Sequence, residues 1–169
     1  MTVSLIEQIN ALDNSHSIKF LQHFNEMLTN DVTNDFSNIL DSVPVLAREL
    51  PEFNIVEDLA LGKINYELTD QESIEISREI LKILSQDPFL LPLLEKAWET
   101  YTDNTAGGNL ISTALLALTI IVVSASDVKF KSGSFELHKP PVEIEKVVLL
   151  VTAIGAIAAG KTKSSSVKE

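Results

Sequence analysis

His16 and His23 lie seven residues apart, which puts them on one helix face with Glu26 a turn further on, and imidazole and carboxylate are the donors that hold zinc or nickel. The spacing is loose, and Lys19 and Gln22 belong to the same polar surface. A solvated helix face is therefore the expectation, with no metal site. Glu72, Glu75 and Glu79 line one edge of another helix, but no histidine stands two to four positions away and no second ligand-bearing helix accompanies them. Ser124-Ala-Ser126 and Gly160-Lys161-Thr162 echo a nucleophile motif and a phosphate loop. Neither has the full spacing, and the lysine-threonine pair follows an apolar helix where a phosphate loop would open one. Asp103 and His138 have no serine partner in a motif. The absence of cysteine removes disulfides, thiolate nucleophiles and cysteine-ligated zinc or iron–sulfur centres. No catalytic residue, cofactor site or metal site is expected, and an unrecognised hydrolase ranks third among the functions weighed below.

The elements that would carry these residues divide by charge. Residues 1–104 hold 19 acids against 6 bases, whereas residues 105–169 hold 5 acids against 7 bases. An acidic half without a basic stripe argues against nucleic-acid binding. The first twenty residues show neither the basic nor the apolar region of a signal peptide, so the expected address is cytoplasmic.

Helical periodicity dominates the acidic half. Ile18, Leu21, Phe24 and Leu28 recur at three and four residues, with Asn14 or Ser15 as the cap. Thr69-Asp-Gln-Glu72 spells a capping box ahead of a stripe of Ile74, Ser77, Ile80, Leu81 and Leu84. Asp87 is expected to cap a further helix with Pro88 at its first position, a bend at Pro92 and a buried face of Leu91, Leu94, Trp98 and Tyr101. Ile64, Tyr66 and Leu68 alternate like a short strand.

Gly107-Gly108 marks a joint, beyond which two runs without charge lie between Asp103 and Asp127 and between Lys146 and Lys161. Between them a two-residue turn at Ser132-Gly133 would pair Phe130 with Phe135, Val128 with Leu137 and Lys129 with Glu136. The expected fold class is mainly α. An acidic helical bundle over 1–104 precedes a module over 105–161 of apolar helix, two-stranded antiparallel β-hairpin and second apolar helix, and 162–169 form a flexible tail.

Helices apolar all round must be covered, and self-association is the simplest cover for a chain this short. The leading expectation is a non-catalytic interaction or regulatory protein, adaptor-like, that forms a homo-oligomer or docks another protein. The contact surface is assigned to Leu110, Leu115, Leu118, Val122, Phe130, Phe135, Val148, Val151, Gly155 and Ala159. The alternative is a small membrane-inserting or pore-forming protein using residues 105–160. Length favours it, since the first run has enough residues to cross a bilayer. The second run is too short to span unaided, and the lysines 129, 131, 139 and 146 would orient the acidic half outward.

Overall fold

A computed structural model describes residues 4–32, 35–65, 67–88, 90–101, 111–125, 127–129, 136–138, 145–146 and 148–155. The helices in order are α1 Leu5–Asn10, α2 Asn14–Asp31, α3 Phe36–Asp41, α4 Val45–Arg48, α5 Pro51–Ala60, α6 Asp70–Ser85, α7 Leu91–Thr100 and α8 Thr113–Ser124. Residues 145–146 and 148–155 are also helical and are called the C-terminal helix below.

Local chemistry sets most of the helix boundaries. Ser4 and Glu7 form a capping box at α1, and Asp13 caps α2 by accepting from the His16 amide at 2.8 Å. At α6 the Thr69 hydroxyl accepts from the Glu72 amide at 3.2 Å while Glu72 accepts from the Thr69 amide at 2.9 Å. Helix α5 ends in a Schellman turn: Gly62 takes φ +75°, its amide donates to the Leu59 carbonyl, and the Lys63 amide reaches the Asp58 carbonyl. A side chain with a Cβ would be strained at that φ, which is why glycine occupies the position.

The helix after Asp87 begins later than the sequence suggests. Its first residue is Leu91, and the Asp87 carbonyl instead accepts from the Leu90 and Leu91 amides in a preceding turn. Pro92 thereby falls in the first turn of α7, where its missing N–H costs nothing. Ile64 and Leu68 lie in irregular chain with no strand described there, and Tyr66 is outside the described residues. Leu68 is buried, so the alternation reported burial of a connector and not a sheet.

Helix α2 is the hub. It packs against α6, α7 and α8, and α6 in turn meets α1 and α7. Helix α8 packs most extensively against α5 and also against α3, while α4 lies on α5. The buried side chains form one hydrophobic cluster that includes Phe20, Leu21, Phe24 and Leu28 of α2, Phe53, Val56 and Leu59 of α5, and Leu116, Ile120 and Val123 of α8.

The expected fold class is corrected by this arrangement. The described fold is built of helices, and α8 is an inner wall of the bundle instead of the start of an appended module. The β-hairpin over 128–138 does not stand as an element on which the fold is built. Described there are two three-residue stretches, β1 Asp127–Lys129 and β2 Glu136–His138, paired antiparallel with Val128 opposite Leu137 and Lys129 opposite Glu136. Phe130, the Ser132-Gly133 turn and Phe135 lie outside the described residues. A two-stranded ladder of three pairs is too small to be stable by itself.

No helix among the described residues is long and apolar enough to cross a membrane. The second apolar run contributes Leu150, Val151 and Ile154 to the core. Its Gly155 passes so close to α5 that a Cβ there would come within 2.6 Å of the Glu52 Cβ.

Candidate functional site

The two histidines of α2 serve different partners. His16 sits in the first turn, with Nδ1 2.9 Å from Asp13 Oδ1. The His16 amide and ring together hold the Asp13 carboxyl below its ordinary value, the backbone hydrogen bond being the larger cause. His23 faces α7 and places Nε2 2.8 Å from the Thr100 hydroxyl oxygen. That hydroxyl also lies 3.2 Å from the Ala97 carbonyl, within reach for a bond back to its own helix. Burial pushes the His23 pKa below its ordinary value, against the opposing pull of Glu26 and of a hydrogen bond to the Ala97 backbone.

The imidazole therefore acts as a neutral clasp between α2 and α7. Around it Phe20 meets Trp98 edge to face at 5.2 Å and Tyr101 at 5.5 Å, while His23 and Tyr101 stand 6.0 Å apart. Aromatic geometry of this kind adds to burial in fixing the pair of helices. Among the described residues no group of three or more metal-ligating side chains converges, and Glu72 is engaged in its capping box.

The opposite side of α2 differs. Gln22, expected on a solvated face, is buried and accepts from the Ser112 amide at 3.2 Å while donating to Glu26 at 3.2 Å. Asn25 is 0% exposed, and neither its Oδ1 nor its Nδ2 has a hydrogen-bond partner among the described residues. Thr29 donates to the Asn25 carbonyl at 2.7 Å. Helix α8 resolves its own hydroxyls internally, Thr119 donating to Leu115 at 2.8 Å and Ser124 to Ile120 at 2.7 Å. Ser124 is thus a buried, back-bonded helix residue with no exposure to a substrate.

Three of the ten residues assigned to the association surface are turned inward. Val122, Val151 and Gly155 are buried, Leu115, Leu118 and Val148 are half-buried, and Leu110, Phe130, Phe135 and Ala159 lie outside the described residues. Leu118 and Val122 line an open recess of about 150 Å³ with Thr29, Val32, Phe36 and Ile39. A second recess of about 330 Å³ lies at the α3–α5 corner between Asp41, Arg48, Phe53 and Glu57. There the Arg48 Nε donates to the Val43 carbonyl at 3.1 Å. Gly160-Lys161-Thr162 and Asp103 also lie outside the described residues, and His138 is described only as part of β2.

The apolar groups that do reach solvent are elsewhere. Among the described residues Val45 and Leu46, consecutive on α4, are 57% and 66% exposed, and Leu149 of the C-terminal helix, Leu61 and Ile6 are exposed to lesser degrees. Sequence periodicity could not find the α4 pair, because a helix of four residues shows no period. Its signal is the Pro44-Val45-Leu46 run beside a proline. The sequence matches no protein-family model, no curated protein and no solved structure.

Proposed function

We propose that this chain works without catalysis, by association with another copy of itself or with a protein partner. The reading is supported above all by Val45 and Leu46, large apolar side chains held side by side in solvent on a four-residue helix. Single exposed apolar residues are ordinary on protein surfaces, and the reading rests on two that are adjacent and each more than half exposed. The histidine and threonine geometry also favours it, since His16, His23 and Thr100 are engaged in cap and clasp bonds.

Compared with the sequence-based surface on 110–159, the contact moves to the part of the molecule where apolar area remains uncovered. Helix α8 is spent on its own chain. Sedimentation equilibrium over a wide concentration range tests the proposal. Self-association above the 18.6 kDa monomer mass is expected, with reversal by the double substitution Val45→Ser and Leu46→Ser. A monomer at every concentration, unaffected by the substitutions, would remove its support.

A further inference from the structure

Extensive packing divides the helices into two groups. Helices α1, α2, α6 and α7 pack among themselves, as do α3, α4, α5 and α8, and the broad contact joining the groups is that between α2 and α8. Slighter contacts include a long 3.5 Å approach of Lys146 Nζ to the Gln86 carbonyl at the end of α6. Among the contacts of α1–α8, the α2–α8 contact is therefore the principal seam.

Its chemistry is mismatched. On α2, Gln22, Asn25 and Thr29 fall at three- and four-residue spacing and so share one face. Gln22 bonds the cap of α8, and Thr29 and Val32 meet Leu118 and Val122 in a common recess. By helical rotation Asn25 points between the directions of Thr29 and Val32, one turn nearer the α2 N-terminus, beneath the middle of α8. The α8 side chains that share the recess with Thr29 and Val32, Leu118 and Val122, are apolar, and the hydroxyl of the buried Thr119 is turned back onto the Leu115 carbonyl.

A buried amide opposite such side chains loses its water and gains no partner. Ser73 and Ser77 of α6 are also buried without partners, but they differ in kind. A helical serine hydroxyl rotates onto the carbonyl four residues back, while the asparagine amide has no such refuge.

We infer that the molecule parts along the α2–α8 seam before it unfolds globally. The α5–α8 group swings away from α2 while α2, α6 and α7 stay packed. Opening rehydrates Asn25 and uncovers Leu118 and Val122. This inference goes beyond the proposed association and does not depend on the α4 patch, because it concerns an equilibrium within one chain.

The absence of cysteine makes thiol labelling of single-cysteine variants a clean test. Val122→Cys reports the seam and Ser77→Cys reports the α6 side, both positions being essentially inaccessible in the closed molecule. Thr119→Cys is the second seam reporter should V122C fold poorly. In dilute urea the seam thiol is expected to label at least about tenfold faster than the α6 thiol, with a shallower urea dependence, because a partial opening exposes less surface than unfolding. Adding Asn25→Leu should slow seam labelling several-fold. Equal rates with equal urea dependence at the two sites would overturn the inference, as would an Asn25→Leu change that leaves seam labelling unchanged or accelerates it.

Discussion

The two sides of α2 are packed by different means. Towards α6 and α7 it presents Phe20 and His23, with edge-to-face aromatic contacts, a histidine–threonine clasp at 2.8 Å, and Arg78 of α6 donating to Asn14 at 2.8 Å and to the Leu12 carbonyl at 3.0 Å. Towards α8 it presents Gln22, Asn25 and Thr29, of which Asn25 is left without partners among the described residues. One helix can thus be a rigid member of one group and a weakly matched neighbour of another. Apolar area alone does not separate the two contacts, since both are buried. The difference lies in the kind of polar group left unpaired: on α6 it is the rotatable hydroxyls of Ser73 and Ser77, on α2 the Asn25 amide.

The sharpest way to break this comparison is on the aromatic side. Phe20→Ala removes a ring that is 0% exposed and leaves Trp98 and Tyr101 without their edge-to-face partner. A loss of about 3–5 kcal/mol is expected in urea unfolding, with a change in the fluorescence of the single tryptophan. A loss below about 1 kcal/mol would mean that the α2–α7 side is no firmer than the seam.

Gly155→Ala probes the α5–α8 group, where the C-terminal helix passes against Glu52. Its new methyl would stand 2.6 Å from the Glu52 Cβ, so a loss of about 1–3 kcal/mol is expected from forced separation. Thermal unfolding reads it directly. Thr69→Ala, which removes the cap of α6, should cost about 1 kcal/mol in the same measurement.

The smallest effect concerns pH. The folded-state pKa of His23 is lowered by burial, so the folded molecule favours the neutral ring and the unfolded chain binds the proton more readily. The contribution is full above the ordinary value of 6.5 and is lost as pH falls through the depressed folded value. A pH series of unfolding midpoints should show this decline, worth less than about 1 kcal/mol at a half-exposed site. His23→Gln should remove that part of the pH dependence while keeping a partner for Thr100.

Periodicity and capping made the acidic half readable. The stripe Ile18, Leu21, Phe24 and Leu28 is wholly buried, and Thr69 and Glu72 form their box, because both signals are local and need no knowledge of neighbours. The Ser4-to-Glu7 box at α1 carried the same legible signal. What could not be read was which face of α2 would be covered by a helix 90 residues away. Gln22 is polar and expected on a solvated face, yet it is buried with its Oε1 on the Ser112 amide at the α8 cap. A helix apolar on every side carries no directional pattern, so its sequence declares that it is covered without declaring by what. The inward turn of Val122 and Val151, against the expected association surface, has the same origin. The α4 corner escaped because its exposure comes from chain path and not from composition.

The mismatch at the seam is tested most directly by equilibrium urea unfolding of the full chain and of its Asn25→Leu variant. Replacing an unpartnered buried amide by an apolar side chain of similar size should raise the unfolding free energy by about 1 kcal/mol or more. A loss of about 1 kcal/mol or more would show that the Asn25 amide is satisfied in the folded molecule and that α2 meets α8 as firmly as it meets α6 and α7.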